Sequence, residues 1–436
     1  LVEFTFVKNE MIANTKKLID AGAENIAEAS FMFDGLYCAV DILHRNGDGF
    51  DIVEVKSSTH ISDIYYEDMA FQYYVLYNCG INVKHVYNLH VNSKYVRHGE
   101  LDINEYFTLE DCTEKCVRKY YETQKNIKEI RKQIDTKNEP DIHVDIHCEK
   151  PYDCAYFKYC TGGGLPSPSV FDIARINAKK KFEYLGDGII TFEDVMNAGI
   201  KLTDNQKLQV ESYCRKSPDI IEKEKIKAFL DTLSYPIYHL DFETYQQAIP
   251  EFEGTSPYQQ IPFQYSLHIE QADGSLEHKE FLAKEGTDPR RALAESLIRD
   301  IPKGVCSLAY NMSFEKNVIE RLAKLFPDLS EHLMDIHGNM HDLMVPFQKH
   351  YYYTYTMLGS YSIKYVLPAL FPDDPELDYH NLNLIHKGDE ASEAFARMAT
   401  LTEKEVKVLR ESLLKYCGLD TFAMVKVLSK LREVSC

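Results

Sequence analysis

The chain has 436 residues, of which 44% are hydrophobic and 12% aromatic. This length is more than one ordinary core holds, so two or three globular domains are expected. No apolar run approaches the roughly 18 residues that would span a bilayer, so no membrane partner is expected. The formal net charge of −19 argues against a protein that binds polyanions such as nucleic acid over its whole surface. Metal sites lined by carboxylates would themselves add negative charge, so a nuclease is not excluded.

Eleven cysteines without a secretory signal at the amino end favour a reducing compartment, and therefore a cytoplasmic protein. In such a compartment clustered thiols hold metal more often than they form disulfides. The sequence begins at Leu1 rather than Met, and its first residues read like the middle of a domain. We therefore expect that an amino-terminal piece is missing.

The first 161 residues predict a mixed α/β domain. Asp34-Gly35 is a two-residue turn signal between alternating segments, and a second turn at 46–49 leads into another strand. The other expected elements are a helix within 1–24, strands at 50–57 and 83–91, a helix at 63–79 and a long charged helix at 109–135. Antiparallel strands followed by a helix and a further strand favour a mixed α/β sandwich.

Two acids and a lysine fall on neighbouring strands of this domain. Glu54 and Lys56 are two apart in one strand and so share a face, and Asp41 reaches the same spot if its strand pairs with theirs. Two carboxylates can hold Mg²⁺ or Mn²⁺ while a lysine orients water and offsets developing phosphate charge. The alternative is a surface strand with an ordinary ion pair.

The run FMFDGLYCAVDIL…DIVEVKSS, followed by a helix that bears Gln72 and Tyr77, resembles the RecB-like branch of the PD-(D/E)xK nucleases. The resemblance implies a nuclease site made of Asp41, Glu54, Lys56 and Gln72. In that branch the helix usually carries its glutamine and tyrosine four residues apart, whereas Tyr77 follows Gln72 by five.

Three evenly spaced cysteines close this domain: Cys148, Cys154 and Cys160, with aromatic residues between them. Three thiolates this close suit a soft metal centre, either an iron–sulfur cluster or zinc. The segment resembles that of RecB-like nucleases with a [4Fe–4S] cluster, which makes zinc the second choice; those nucleases have a fourth cysteine before the core. Here the earlier Cys38 alternates with core residues, so we expect the fourth ligand in the missing piece. The alternative is three cysteines without metal.

A linker separates this domain from a second α/β pattern. Three glycines at 162–164 precede two prolines, and residues 162–233 then predict a small helical connector. In the second pattern, strands are expected at 237–241, 262–270, 276–282 and 305–310, helices at 289–301 and 313–326, and a last long helix at about 402–433.

Three motifs in this second pattern place acids on different elements. Asp241 and Glu243 lie two apart at the end of an apolar strand, and Glu315 falls in the first turn of a helix. Tyr416 and Asp420 are four apart and so lie on one face of the last helix. Four such acids can hold two divalent metals about 4 Å apart, one activating the attacking water and the other stabilising a leaving 3′ oxygen. Tyr416 is placed to orient that water.

Together these motifs resemble the DEDD exonucleases of the RNase H-like fold, in the tyrosine subclass, over about residues 235–432. The resemblance implies a DnaQ-like 3′–5′ exonuclease that holds Mg²⁺ or Mn²⁺ with Asp241, Glu243, Glu315 and Asp420. The chain departs from the family at Glu315, where the helix acid is usually an aspartate.

The sequence therefore predicts an α/β protein in three parts: a PD-(D/E)xK-type domain at 1–161, a helical connector at 162–233 and an RNase H-like domain at 234–436. The whole resembles a bacterial family that fuses a RecB-like nuclease to a DnaQ-like exonuclease through a cysteine segment. The expected substrate is DNA or RNA, single-stranded or with free ends. Two alternatives stay open: a nucleic-acid-binding or scaffold protein with degenerate nuclease folds, and a metal-dependent phosphoesterase for small nucleotides.

Overall fold

The computed structural model describes residues 1–436, and the chain divides into two compact units. The first unit comprises residues 1–142 and 247–259, and the second comprises 143–246 and 260–436. These boundaries differ from those expected from the sequence. The cysteine segment and the helical connector belong to the second unit, and a short piece of the second α/β pattern belongs to the first.

The first unit alternates helices and strands as expected for an α/β domain. Its elements are α1 (Lys8–Asp20), β1 (Asn25–Phe33), β2 (Leu36–Asn46), β3 (Gly49–Lys56), α2 (Asp63–Asn78), β4 (Val83–Val91), α3 (Ile103–Tyr106), β5 (Phe107–Asp111), α4 (Thr113–Arg118) and α5 (Tyr120–Ile134). The hairpin predicted at Asp34-Gly35 is confirmed, and both turn residues have the positive φ that a two-residue turn of this kind needs.

One mixed sheet forms the centre of the first unit, in the order β1-β2-β3-β4-β5. β1, β2 and β3 are antiparallel, β4 runs parallel to β3, and β5 is antiparallel to β4. α2 makes the crossover between the parallel pair, as a parallel connection requires. Its buried Met69 and Val75 join Ile52 and Val86 of the sheet in one core.

The prediction of one long helix over 109–135 is wrong. Residues 107–111 instead form β5, and the helical part is divided into α4 and α5. The reason is that the chain first pairs with β4. The Cys112 N–H donates to the Val86 carbonyl at 2.8 Å, and the Val86 N–H donates to the Thr113 hydroxyl at 2.9 Å. These contacts satisfy backbone groups that the continuous helix would have used otherwise.

The second unit contains the connector and a second sheet. Its elements are α6 (Phe157–Cys160), α7 (Ala178–Gly186), α8 (Phe192–Asn197), α9 (Asp204–Arg215), β6 (Ile220–Ile221), α10 (Lys223–Leu230), β7 (Ile237–Tyr245), β8 (Ile261–Glu270), β9 (Leu276–Leu282), α11 (Arg290–Asp300), β10 (Cys306–Ala309), α12 (Ser313–Leu325), α13 (Ser330–Gly338), β11 (Met340–Asp342), α14 (Val345–Gln348), β12 (Tyr352–Tyr353), α15 (Ile363–Leu370), α16 (Gly388–Arg397) and α17 (Glu403–Ser435).

The large sheet of the second unit has the order β11-β10-β7-β8-β9. β7, β10 and β11 are parallel, and β8 is antiparallel to both of its neighbours. β8 is buried along its whole length, because α11 packs on one face of the sheet and α17 on the other. The strands and helices predicted for this part of the chain are confirmed in type and order, and β9 has the predicted bounds.

The helical connector packs onto the second unit rather than forming a separate part. β6 pairs with β12, and the Gln209 side-chain amide donates to the Leu358 carbonyl at 2.8 Å. At Gly359 the backbone has a φ of 71°, and a Cβ there would lie 2.8 Å from Gln209 Cδ. Glycine is therefore required at this contact on both steric and backbone grounds.

Residues 247–259 lie between β7 and β8 in sequence but are held by the first unit. The Arg97 N–H donates to the Thr255 carbonyl at 2.9 Å, and the Gly254 N–H donates to the Arg97 carbonyl at 2.8 Å. The Tyr258 hydroxyl donates to the carbonyl of Ser57, the residue after β3. This two-way backbone pairing explains why a loop of the second α/β pattern belongs to the first unit.

None of the helices has a stretch both long and apolar enough to cross a membrane, including the 33-residue α17.

Candidate metal sites

Asp41 lies where the pairing of β2 with its neighbours is interrupted. The ladder between β1 and β2 omits Asp41, and the residue opposite, Glu28, has a φ of 58°. The pairing of β2 with β3 extends only as far as Ile42, the residue next to Asp41. In its place the Asp41 carboxylate accepts a 2.7 Å hydrogen bond from the Val55 N–H. Interruptions of this kind re-aim a side chain, and the charge of Asp41 is close enough to raise the pKa of Glu54.

Glu54 is the buried centre of the first site. Its side chain accepts hydrogen bonds from Lys56 Nζ at 2.6 Å and from Gln72 Nε2 at 2.7 Å, one on each oxygen. Burial raises the pKa of Glu54 to about 6, against the lowering effect of these two donors. The structure thus brings together Asp41, Glu54, Lys56 and Gln72, including the glutamine whose spacing departs from the family pattern.

Lys56 also binds Asp68, at 2.9 Å. Burial alone lowers the pKa of Lys56, but its bonds to Glu54 and Asp68 outweigh burial, and the net pKa is raised. The ammonium group is therefore permanently charged at neutral pH. Asp68 was not predicted as a site residue. It lies four residues before Gln72 on α2 and so shares its face, which is the signal that could have identified it.

Two buried residues of β4 extend this polar cluster. Asn88 is the parallel partner of Glu54, and His90 is the partner of Lys56. Both are nearly inaccessible to solvent, and His90 Nδ1 lies 3.2 Å from Asn88 Oδ1. An asparagine and a histidine two apart on a buried strand are unusual for a core, and that alternation was the available sequence signal.

The cysteine segment folds as a tight turn within the second unit. The Cys154 N–H donates to the Cys148 carbonyl at 2.8 Å, while Cys148 is buried and Cys160 exposed. The three sulfur atoms do not lie within 4.8 Å of one another, so they do not form a preassembled site for one zinc ion. An iron–sulfur cluster is a larger body whose thiolate ligands lie further apart than those of a single zinc ion. Cys38 lies in the core of the first unit, where burial raises its pKa to about 12.

The second site begins on β7, the central strand of the second sheet. Asp241 and Glu243 share one face of this strand, opposite Ser266 and Gln264 of β8. The neighbouring residues Leu240 and Phe242 on β7 are buried. A central strand with both faces covered gives the two carboxylates a fixed position, which a metal site needs.

Polar side chains of β8 fix α17 over this face of the sheet. Gln264 Nε2 donates to the Leu413 carbonyl at 2.9 Å. The Thr421 hydroxyl lies 2.6 Å from the Ser266 hydroxyl and 2.8 Å from His268 Nδ1. These buried bonds set both the rotation and the axial position of the helix, so that Cys417 lies against Asp241.

The closest metal-type donors in the chain are Asp241, Glu243 and Cys417. Their ligand atoms all lie within 4.8 Å of one another, and no other three His, Cys, Asp or Glu side chains in residues 1–436 are so close. Cys417 Sγ is 3.8 Å from Asp241 Oδ2. Cys417 was not predicted as a site residue; its position three residues before Asp420 on the same helix is the sequence signal that could have identified it.

Glu315 enters the site from the first turn of α12. The preceding turn is held by Asp342, whose carboxylate accepts 2.9 Å hydrogen bonds from the backbone N–H groups of Asn311 and Met344. Glu315 is buried, and its Oε2 has no hydrogen-bond partner. Burial, with a smaller contribution from Asp342, raises the pKa of Glu315 to about 8. A buried carboxylate oxygen without a partner is costly unless a cation or proton compensates it.

Asp420 faces the same site from α17. Its carboxylate accepts a hydrogen bond from the Tyr379 hydroxyl, and burial raises its pKa to about 7. The Tyr416 ring lies 6.1 Å from that of Tyr379. Burial raises the pKa of Tyr416 and the neighbouring acids raise it further, so its hydroxyl keeps its proton. Tyr379 had no recognisable sequence signal, because it lies in an irregular segment between α15 and α16.

The four acids act on one another electrostatically. Burial raises the pKa of Asp241 most, and the charges of Asp420, Glu243 and Glu315 raise it further. Burial also raises the pKa of Glu243 most; the charges of Asp420 and Glu315 raise it further, and Lys364 opposes them. The structure therefore brings together the four predicted acids and Tyr416. Their mutual repulsion and the unpartnered Glu315 oxygen fit a site for divalent cations, which offset clustered negative charge.

A pocket of about 730 Å³ opens beside Asp420. Its wall includes Tyr416 and Asp420, and it continues past Lys364 to apolar residues of α15. His386 and Lys387 also line the pocket and add basic groups to it. The pocket thus combines basic groups and an apolar wall with the carboxylates of Asp420, Asp373, Asp374 and Asp378.

A family model described as a domain of unknown function (DUF2779) matches residues 238–362. The match includes Asp241, Glu243 and Glu315 and ends before Tyr416 and Asp420. No curated protein and no solved structure matches the chain.

Proposed function

We propose that this chain is a metal-dependent nuclease for DNA or RNA with free ends, and that its second unit carries a 3′–5′ exonuclease site. The observation that supports this most is the convergence of Asp241, Glu243, Glu315 and Asp420 from three separate elements. Each has a pKa raised by burial. Glu243 and Glu315 are buried and Asp241 and Asp420 are half-buried. The repulsion among four such carboxylates opposes folding unless cations or protons offset their charge.

The sheet topology is compatible with this proposal. A five-stranded sheet in which only β8 opposes the other strands, with helices on both faces, suits the RNase H-like fold. In the first unit, three antiparallel strands, a crossover helix and a parallel strand suit the PD-(D/E)xK fold. Topology alone does not assign an activity, so the proposal depends on the side chains.

In the second site, Asp241, Glu243, Glu315 and Asp420 would hold Mg²⁺ or Mn²⁺. When bound, such cations supply charge compensation on both sides of the phosphorus under attack. The protein's own side chains position the reacting groups and exclude bulk water from the site. Tyr416 keeps its proton and presents a hydroxyl beside Asp420, where it can orient a water molecule. Lys364 supplies positive charge near Glu243 and Asp420.

In the first site, Asp41 and Glu54 would hold a cation of the same kind. Lys56 keeps a full positive charge and offsets charge on the phosphate. Gln72 fixes one oxygen of Glu54, and the Val55 N–H fixes one oxygen of Asp41. We propose a second nuclease activity here, independent of the first.

We also propose that Cys148, Cys154 and Cys160 are ligands of a [4Fe–4S] cluster. The support is their spacing and the turn that joins the first two. Iron and sulfide analysis of the anaerobically purified protein tests it. Stoichiometric iron and sulfide are expected, and a protein with neither would refute the cluster.

The decisive experiment for the exonuclease uses a single strand labelled at its 5′ end. In the presence of Mn²⁺ or Mg²⁺ we expect a ladder that shortens from the 3′ end. It is measured in a Lys56→Ala background to silence the first site. Asp241→Ala should abolish the ladder, whereas Asp273→Ala, an acid of an exposed turn in the same unit, should leave it unchanged. Folded protein that produces no ladder with either metal would refute the proposal.

The same assay separates the alternatives. A phosphoesterase for small nucleotides would release phosphate from mononucleotides and leave the labelled strand intact. A binding or scaffold protein would retain the strand without shortening it. The intact set of acids at both sites favours the nuclease over the scaffold.

A further inference from the structure

We propose that Cys417 is a metal ligand, so that one cation position of the second site is built for a thiophilic divalent metal, best matched by Zn²⁺. The ligands are Asp241, Glu243 and Cys417. The inference concerns the proposed exonuclease site and rests on that proposal for the site's use, but the binding of the metal is measured without any reaction.

The distances within the three donors fit a single ion. Tetrahedral zinc has Zn–S of about 2.3 Å and Zn–O of about 2.0–2.2 Å, which places sulfur and oxygen roughly 3.6 Å apart. Cys417 Sγ lies 3.8 Å from Asp241 Oδ2, and no pair of donor atoms in the set exceeds 4.8 Å. Only a small rotation of side chains is needed to close them around a cation.

The donor set also determines which cation is preferred. Mg²⁺ takes oxygen ligands in near-octahedral geometry, whereas a thiolate favours softer metals such as zinc. Two carboxylates and one thiolate leave a fourth tetrahedral position open, the pattern of catalytic rather than structural zinc sites. The remaining acids, Glu315 and Asp420, provide oxygen only and suit a harder second cation.

A second observation points to a cation in this place. Glu315 Oε2 is buried and has no hydrogen-bond partner, although its charge acts on Asp241 and Glu243. The Cys417 thiol has two long contacts with Asp241: its side-chain Oδ2 at 3.8 Å and its backbone carbonyl oxygen at 3.9 Å. An oxygen left unpaired and a thiol with only long contacts are both better satisfied by a bound ion than by each other.

The competing explanation is that Cys417 only positions Asp241 through a weak S–H···O contact. Replacement by serine separates the two roles. A hydroxyl donates a hydrogen bond at least as well as a thiol, so a positioning role survives in Cys417→Ser, but a preference for soft metals does not.

Cobalt(II) gives the direct test, because it replaces zinc and absorbs in the near ultraviolet when bound by a thiolate. The reduced protein is stripped with a chelator and titrated with Co²⁺ in a background where Cys148, Cys154 and Cys160 are serine. We expect a sulfur-to-cobalt band that is lost in Cys417→Ser. Cys306→Ser is the matched control, since Cys306 is also a buried cysteine of this sheet region, and it should keep the band.

Affinities should change in the same sense. Cys417→Ser should weaken Zn²⁺ binding by about 100-fold, at the upper end of what removal of a supporting group costs, and change Mg²⁺ binding by less than about threefold. An unchanged cobalt spectrum in a folded Cys417→Ser protein would overturn the inference. If that variant does not fold, zinc-edge X-ray absorption of the triple-serine background decides it: one sulfur neighbour is expected, and none refutes it.

These outcomes are independent of the proposed exonuclease. A sulfur–cobalt band without any strand degradation would refute the activity and leave the ligand assignment intact. Degradation supported by Mg²⁺ in a protein without the band would refute the ligand assignment alone.

Discussion

The side-chain amide of Gln72 donates a 2.7 Å hydrogen bond to one oxygen of Glu54, while Lys56 binds the other oxygen at 2.6 Å. Both donors favour the ionised form of an acid whose pKa burial raises to about 6. The balance between burial and these two bonds therefore decides at which pH the first site can bind a cation.

Removal of Gln72 should raise the pH below which the first site loses its activity. In Gln72→Leu the Glu54 carboxylate loses a hydrogen bond worth about 1.5–3 kcal/mol for a charged acceptor, which corresponds to a rise of its pKa by at least about 1. The acid limb of metal-dependent cleavage should move up by about one pH unit, measured in an Asp241→Ala background. Gln133→Leu, on the exposed face of α5, is the control. An unmoved acid limb would contradict this role of Gln72.

Lys56 should serve the reaction rather than metal binding. In Lys56→Ala we expect a loss of activity at the first site on the order of 100-fold, as for other groups that compensate charge in the transition state. The affinity for metal should differ from that of the wild-type protein by no more than a few-fold. Both carboxylates remain, and Lys56 no longer competes with the cation for Glu54. The measurement combines cleavage rates with Mn²⁺ titration in the Asp241→Ala background. Lys84→Ala, whose ammonium pairs with Asp48 at the edge turn, controls for charge; a parallel fall in metal affinity would argue for a structural role.

Much of the first site follows from local sequence rules. The alternation of a strand puts Glu54 and Lys56 on one face, and the turn at 46–49 brings the preceding strand, which carries Asp41, beside them. What the local rules could not supply is the partner from α2. Asp68 competes with Glu54 for the same lysine, and this depends on how the crossover helix sits on the sheet.

At the second site, too, some residues were predictable from local sequence patterns and others were not. Its four acids were predictable because each follows a strand end or lies on a helix face of regular period. Cys417 and Tyr379 were not predicted. The rotation of α17 is set by its bonds to β8, notably Thr421 with Ser266, and no single segment of sequence contains that information. The expected long helix at 109–135 failed for a related reason, since pairing with β4 overrode a helical pattern.

The pKa values of the second site predict an unusual pH dependence of stability for protein stripped of metal. Burial raises the pKa of Asp420 from an ordinary value near 4 to about 7. Between these values the folded chain keeps a proton that the unfolded chain releases. Stability contributed by protonated Asp420 is therefore full below about pH 4 and is lost as the pH rises through about 7.

Asp420→Asn should remove that dependence, because an amide does not titrate. The free energy of unfolding of the wild-type protein, minus that of Asp420→Asn, should fall by a few kcal/mol, on the order of 3–4, from pH 4 to pH 7. Denaturant titrations in a chelator measure it. With Mn²⁺ present the difference should depend much less on pH, since the cation takes the place of the proton. A difference that grows with pH would show that Asp420 is ionised in the folded chain throughout.

The two tyrosines beside Asp420 should have separable roles. The Tyr379 hydroxyl donates to the Asp420 carboxylate and lowers its pKa, whereas no hydrogen bond from Tyr416 to that carboxylate is present among the contacts of Asp420. We therefore expect Tyr379 to act through a metal ligand and Tyr416 to act on the attacking water.

Tyr416→Phe should lower kcat by about 10- to 100-fold with little change in Mn²⁺ affinity, in the range of a lost group that orients or transfers a proton. Tyr379→Phe should instead weaken Mn²⁺ binding, because Asp420 loses the donor that favours its charged form and holds its proton to a higher pH. Raising the pH should restore much of the Tyr379→Phe activity and none of the Tyr416→Phe activity. Single-turnover rates at a Mn²⁺ concentration near the wild-type Kd, measured at pH 7 and pH 9, make this comparison. If both variants recover alike at high pH, Tyr416 acts through the acid as well, and the water must be oriented by the cations and the remaining carboxylates.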